Sequence, residues 1–365
     1  MHFKVGVIGA TGYIGSPYRQ EIREAQGQAT IVALCARRRE LLEAAGREDG
    51  ATLLTDDWRQ VVEHPEVNLV LVATPDAYHH EEVMAAAAAG KHVFCEKPVG
   101  ISAEQALEMR AACGQAGIAH YVPFWTRYVP VFARAREIYR AGTLGQIQAV
   151  MYRWHNPRPD SMPFTWRDDA QLSAAGSIAD VGSHAYETMR WILGQEVVRV
   201  LAHADVISPD KPDMGEINLD EALQWGEAHP ASDCQTTRRA TAFDYAALAL
   251  QWANGAVGSL ILSHAPSLRK GLAPELELHG SEGSLAVDRI SSRLTLARGN
   301  APETESEHID NPGFGNRFDK YVFPALRAQI AGEPTEHPDL EDGCHVQQFT
   351  DAAVRSASEN GWAKV

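Results

Sequence analysis

The chain has 365 residues, more than a single domain usually holds, so two domains of roughly 100 to 200 residues each are expected. Its 45% hydrophobic and 22% charged residues are the mix of a folded globular protein, and a net charge of -15 without a long basic run speaks against nucleic-acid or anionic-membrane partners. The five cysteines, Cys35, Cys95, Cys113, Cys234 and Cys344, are odd in number and never spaced C-x-x-C, which argues against a disulfide framework and a zinc knuckle. No metal and a cytoplasmic location are therefore expected.

From residue 1 to 122 short strand-like runs alternate with helical segments, the pattern of a doubly wound parallel sheet. The first run follows Met1 with no basic leader, and no window reaches the roughly 18 apolar residues of a membrane span, so neither secretion nor membrane insertion is expected. Strands are predicted at 5–9, 30–35, 69–73, 92–95 and 118–122. Gly90 stops the helix before the fourth, and Ser102-Ala103-Glu104-Gln105 matches a capping box opening a helix over 103–112. After residue 122 the rhythm changes. A helix at 131–140 leads to longer, partly alternating strands at 146–154, 197–205, 241–252 and 256–264, which predict a second α/β domain over 123–365 on a mostly antiparallel open sheet. The acidic, aperiodic stretch 207–238 reads either as a solvated loop or as an excursion lying over or beside that sheet. Residues 342–358 predict a closing helix that packs back on the first domain.

Between the first strand and first helix lies Gly9-Ala10-Thr11-Gly12-Tyr13-Ile14-Gly15. A glycine loop there lets backbone N–H groups approach a pyrophosphate at a helix N-terminus, which predicts a nicotinamide dinucleotide site in a Rossmann domain. The spacing is G-x-x-G-x-x-G, with Thr11 near the place of the usual middle glycine. The second strand ends at Ala36 followed by Arg37-Arg38-Arg39, without the carboxylate that would select NAD; Arg37 and Arg38 suit a 2′-phosphate, so NADP is favoured over NAD, unless the arginines are only the solvated start of the next helix. Ala73-Thr74-Pro75 closes the third predicted strand where cofactor is expected, and His79 reads equally as a cofactor contact or as a packing residue. Lys97 in Glu96-Lys97-Pro98 arrives at the same carboxyl edge. Desolvated beside an oxidised nicotinamide, its amine would titrate low enough to exchange a proton with a substrate hydroxyl. Asp180 and His184, four apart at the head of a helix that stops at Gly194, share one face as a proton-handling pair.

Taken with Arg127-Tyr128-Val129-Pro130 and the weaker echoes Phe243-Asp244, Gly280-Ser281-Glu282-Gly283 and Glu341-Asp342-Gly343, these elements resemble the glucose-fructose oxidoreductase, inositol dehydrogenase and rhizopine-catabolism (Gfo/Idh/MocA) family over nearly the whole chain. The resemblance implies a Rossmann domain followed by an α/β domain whose open sheet mediates homodimers or homotetramers, and a cis Lys97–Pro98 peptide. It implies that Lys97 and His184 share the acid/base work, with the main base open, and that Asp180 orients substrate and imidazole. Glu96, Arg127, Trp166 and Arg167 are carried over as cofactor residues, and Arg167 also as a substrate residue. The glycine spacing and Ala175, where a further glycine is common, depart from the family pattern.

The reaction expected is hydride transfer between a nicotinamide cofactor and a secondary hydroxyl or ketone of a sugar, glycoside, cyclitol or related polyol. Two others compete: redox-neutral glycoside cleavage through transient oxidation and elimination, and a non-enzymatic dinucleotide-sensing regulator. Of the aromatic residues Phe124, Trp125, Tyr128, Trp154 and Trp166, Trp125 is the first candidate to stack on a sugar ring.

Overall fold

Four consecutive apolar residues, Leu69–Val72, are all fully buried and form a strand enclosed on both faces, as the central strand of a parallel sheet must be. In the computed structural model, which describes residues 1–25, 27–299, 301 and 303–365, this is β4 of a six-stranded sheet. The strands β1 (Phe3–Ile8), β2 (Ala29–Cys35), β3 (Leu53–Thr55), β4, β5 (His92–Cys95) and β6 (His120–Tyr121) run parallel in the order β3-β2-β1-β4-β5-β6. The helices α1 (Gly15–Glu24), α2 (Arg39–Asp49), α3 (Trp58–Glu63), α4 (His79–Ala88) and α5 (Ala103–Ala116) make the crossovers. The chain leaves β1 and its neighbour β4 in opposite directions, so a crevice opens at their carboxyl ends. The three residues of β3 are too few to show a period, and the sequence did not reveal them. At the head of α5, Ser102 accepts from the Gln105 N–H at 3.2 Å, but the Gln105 side chain reaches past the cap to the Ile101 N–H, so the predicted box is half formed.

Beyond α6 (Pro130–Arg140) a nine-stranded sheet takes over. In chain order its parts and neighbours are β7 (Ile147–His155), α7 (Asp180–Leu193), β8 (Val197–Asp205), β9 (Lys211–Pro212), α8 (Leu219–Ala228), β10 (Thr237–Arg238), β11 (Tyr245–Trp252), β12 (Val257–Ser263), β13 (Leu276–Gly280), β14 (Gly283–Asp288), β15 (Arg293–Arg298), β16 (Thr304–His308), α9 (Phe323–Ala331), α10 (Leu340–Glu359) and β17 (Ala363–Lys364). The order β16-β15-β14-β13-β7-β12-β11-β8-β17 is antiparallel except at the β7–β12 pair. β11 alternates half-buried and buried residues along its length, as a strand with one covered face does. α7 packs on β7 and β12, and α10 on β8 and α5.

Three expectations need correction. The strand predicted over 241–252 starts only at Tyr245, because Asp244 turns its carboxylate back to accept the Ile207 and Ser208 N–H groups and the Thr241 N–H is bonded to the Asp168 carbonyl. The stretch 207–238 is not a plain loop: β9 and β10 pair as a two-stranded ribbon, and between them Asn218 and Glu221 form a reciprocal capping box for α8. Residues 318–331, included in the second domain by the 123–365 division, return to the first. Phe318 and Phe323 are fully buried in the core of the first, Phe323 stacking on Phe3 at 5.1 Å and Phe318 lying 5.2 Å from Phe94.

This return of the chain predicts that Phe323→Ala, although far from β1 in sequence, destabilises the first domain. A loss of about 3–5 kcal/mol is expected in denaturant unfolding followed through that domain; a change below about 1 kcal/mol would mean that the segment is not part of the core.

Candidate active site

A cleft of about 1010 Å³ runs from the carboxyl edge of the six-stranded sheet, between the two sheets, to the ribbon and α8. At one end the glycine loop is pressed against the end of β4. A Cβ on Gly9 would lie 2.4 Å from the Ala73 carbonyl oxygen, and one on Gly15 would lie 2.2 Å from that of Gly9. Gly9 also has φ +83, which favours glycine. Side chains are thus excluded at these points, and the loop offers bare backbone at the start of α1, whose N-cap Ile14 supplies no side-chain acceptor. Uncapped N–H groups at a helix N-terminus suit a pyrophosphate, so the residues present fit a dinucleotide. Gly9, Thr11, Gly12, Tyr13 and Ile14 from the loop, Ala73, Thr74 and Pro75 from the end of β4, and Ala36, Arg37 and Arg38 from the end of β2 all line this cleft.

At the other end, β5 delivers Lys97 and the first turn of α7 delivers Asp180. Lys97 Nζ donates to Asp180 Oδ1 at 2.8 Å and to the Asp180 carbonyl oxygen at 3.2 Å. The second carboxylate oxygen accepts from Arg158 at 3.2 Å, and His264 Nε2 lies 3.1 Å from it. His184, one turn along α7, lies against the Trp154 ring at 5.6 Å, and its enclosed Nδ1 has no hydrogen-bond partner among the described residues. Trp166 and Arg167 stand together in the wall, the guanidinium 4.3 Å from the indole and 5.9 Å from the Tyr13 ring. Glu96 also reaches the cleft, but its carboxylate accepts from Tyr18 Oη and the Lys97 N–H, and Trp125 Nε1 donates to the same Tyr18 oxygen. The Lys97–Pro98 peptide is cis.

The structure does not bring His79 or Arg127 to the cleft. His79 is fully buried, with Nδ1 2.7 Å from the Pro98 carbonyl oxygen and Nε2 2.9 Å from that of Thr74, so it ties together the two loops that carry Thr74 and Lys97. Arg127 ends between Glu187 at 2.5 Å and Asp342 at 2.7 Å, and Asp342 also holds Arg190 at 2.5 Å. This buried network fixes α7 from behind. Of the aromatic candidates, Trp125, Trp154 and Trp166 line the cleft; Phe124 is buried in the core, and Tyr128 stacks on Tyr321 at 4.0 Å. Sequence reasoning missed Arg158, His264, Asp76 and the ribbon with α8. Two of these carried a positional signal: His264 ends a predicted strand, and Asp76 directly follows Ala73-Thr74-Pro75.

Electrostatics separates the titratable groups. Burial opposes ionisation of Asp180, yet Lys97, His264 and Arg158 outweigh it and hold the carboxyl well below its usual range. Burial lifts Asp76 to about 7 against Lys97, the Ala174 N–H and Arg167. Burial and then Lys97 push His184 down to about 3, with Asp180 opposing.

Comparison with known proteins agrees with this geometry. Residues 3–124 match the family model described as an oxidoreductase family with an NAD-binding Rossmann fold, and 132–286 match the Gfo/Idh/MocA C-terminal domain. The chain is 27% identical to a levoglucosan dehydrogenase of Pseudarthrobacter phenanthrenivorans, over 89% of this chain and 87% of the relative. It is 25% identical to a myo-inositol 2-dehydrogenase of Thermotoga maritima, over 99% and 98%. A solved structure of levoglucosan dehydrogenase in complex with NADH and L-sorbose superposes with a TM-score of 0.82 at 25% identity, covering 100% of this chain and 99% of the other.

The depressed basicity of His184 makes a sign-specific prediction. Its folded-state value lies below the ordinary one of about 6.5, so its neutral form contributes stability above that pH, and the contribution is lost as pH falls toward 3. In a nitrogen NMR titration of the free protein, the His184 ring should keep neutral-imidazole shifts from pH 8 to about 5. Protonation with a midpoint above about 6 would contradict the assignment.

Proposed function

The chain belongs to the Gfo/Idh/MocA family of oxidoreductases, and on that premise we propose that it transfers hydride between a nicotinamide dinucleotide and a secondary hydroxyl or ketone of a sugar, glycoside, cyclitol or related polyol. The observation that carries this reading is the Lys97–Asp180 pair beside His184, in the same cleft as the glycine loop. When bound, the nicotinamide supplies the hydride acceptor or donor.

The residues of the chain supply the rest. Asp180 takes two of the three donor directions of the Lys97 ammonium, leaving one for a substrate oxygen. Lys97 Nζ then gives a proton to the oxygen of the ketone as it is reduced, and receives one from the hydroxyl in the oxidising direction. His184 is a poor site for positive charge, and in this reading its neutral ring orients the reacting oxygen by donating its one N–H to it, leaving the hydroxyl proton to Lys97. Trp166 and Arg167 close the nicotinamide end of the wall, and Trp125 and Trp154 line the rest with little of their rings exposed, Trp154 lying between His184 and the Arg289 guanidinium. Residues 1–122 thus hold the cofactor and 123–365 the substrate, with 318–331 returning to the first unit.

Arg37 and Arg38 line the cleft at the end of β2, where the adenosine ribose would lie, and taken alone they would suit the 2′-phosphate of NADP. We place self-association, as a dimer or tetramer, on the outer face of the nine-stranded sheet, where Met151 and Val257 are exposed. A cytoplasmic site is supported by the free state of all five cysteines; among the described residues no helix is long and apolar enough to cross a membrane.

The test is a panel of anhydrosugars, aldoses, glycosides and inositols with NAD and NADP, following reduced nicotinamide and ketone product together. Lys97→Ala should lower kcat by about 10²–10⁴-fold, and Lys97→Arg should not restore it, since a guanidinium does not release its proton. His184→Ala should act mainly on KM. Unchanged turnover in Lys97→Ala would remove the assigned role; glycoside cleavage without net cofactor reduction would favour the elimination reaction.

A further inference from the structure

The three arginines after β2 are each matched by a carboxylate. Arg39 pairs with Glu43 on its own helix at 2.7 Å. The other two are matched from the far side of the cleft: Arg37 with Glu216 at 3.0 Å, and Arg38 with Glu221, whose two oxygens accept from its two terminal nitrogens at 2.6 and 2.8 Å. Both glutamates belong to the 207–238 excursion, and Glu216, Asn218 and Leu223 line the same cleft as the arginines.

The excursion is fixed at its base and reaches across to the first domain with its tip. At the base Lys211 Nζ meets Asp168 at 2.6 Å and Arg238 meets Asp169 at 2.8 Å. Gly226 sits so close to the backbone of Met162 that a Cβ would lie 2.8 Å from its Cα, and Ser161 Oγ donates to the Gly226 carbonyl at 2.7 Å. At the tip, the Arg38 and Glu221 side chains are 39% and 36% exposed, so their pair adds little to stability. Its consequence is electrostatic: the guanidinium that a 2′-phosphate would need already has a bidentate partner of the same charge as that phosphate.

On the reading that this cleft holds a nicotinamide dinucleotide, we propose that Glu221, assisted by Glu216, sets the cofactor preference. The excursion supplies from outside the sheet the carboxylate that the end of β2 lacks at Ala36. It neutralises Arg37 and Arg38, disfavours the 2′-phosphate and leaves NAD as the preferred dinucleotide, against the expectation raised by the arginines alone.

Glu221→Gln is the discriminating variant, because glutamine can serve the capping box of α8 as glutamate does while the charge is lost. Calorimetric titration of the full chain with NAD and with NADP, in the absence of sugar, reads the ratio of the two Kd values. The wild-type chain should bind NAD more tightly, and Glu221→Gln should shift the ratio toward NADP by roughly fivefold to tenfold. Adding Arg38→Met to that variant should abolish the shift. An unchanged ratio in Glu221→Gln, or a wild-type preference for NADP, overturns the proposal while leaving the dinucleotide site standing. Binding of neither dinucleotide to the wild-type chain overturns both.

Discussion

The arrangement depends on one carboxylate held ionised between two domains. Asp180 heads α7 in the second domain, and Lys97 comes from the carboxyl end of β5 in the first, so their 2.8 Å contact fixes the width of the cleft where hydride must pass. A carboxylate partly withdrawn from water is costly to keep ionised unless it is well partnered. Here Lys97 and Arg158 supply positive charge, His264 adds a polar neighbour, and the position in the first turn of a helix favours an anion. Without Asp180, Lys97 and Arg158 would face each other with no negative charge between them.

A constraint this local works only if α7 cannot slide. Behind it, Glu187 and Arg190 on the same helix are bound to Arg127 and Asp342, which belong to the segment leaving the first domain and to α10. Tyr186 stacks on Phe349 of α10 at 4.0 Å. Breaking one partner of so buried a network leaves a charge without compensation, which explains why an arginine in a motif suggestive of cofactor binding is spent on structure instead. His79 is a parallel case: it joins the Thr74 and Pro98 loops.

The residues proposed for catalysis could be singled out in the sequence because their signals are short-range. Lys97 follows a strand, Asp180 and His184 are one helical turn apart, and the glycine loop lies between a strand and a helix. The parallel sheet was legible for the same reason, since β4 and β5 are apolar runs bounded by turns. What stayed hidden depends on partners distant in sequence. Arg38 looked like a free phosphate ligand until Glu221, 183 residues away, was seen to hold it. Arg158 and His264 gain meaning only where two strand ends meet Asp180. β16 is exposed throughout and lacks the apolar pattern by which strands are read, whereas β13 to β15 bury alternate residues, Leu276 and Leu278, Leu285 and Val287, Leu294 and Leu296, and so carry a period-2 signal that is only short. The capping box Asn218-Leu219-Asp220-Glu221 is present in the sequence, but the charged, aperiodic stretch around it hides the helix it opens.

If Lys97 handles the proton, a substrate oxygen completes its hydrogen bonding within the cleft proposed for the dinucleotide. A crystal structure of the chain with reduced dinucleotide and a sugar or cyclitol tests it most directly. A ligand oxygen is expected within hydrogen-bond distance of both Lys97 Nζ and the His184 ring, with the Lys97–Asp180 contact kept. A ligand bound away from Lys97, or Asp180 released from it to hold the sugar alone, would contradict the account.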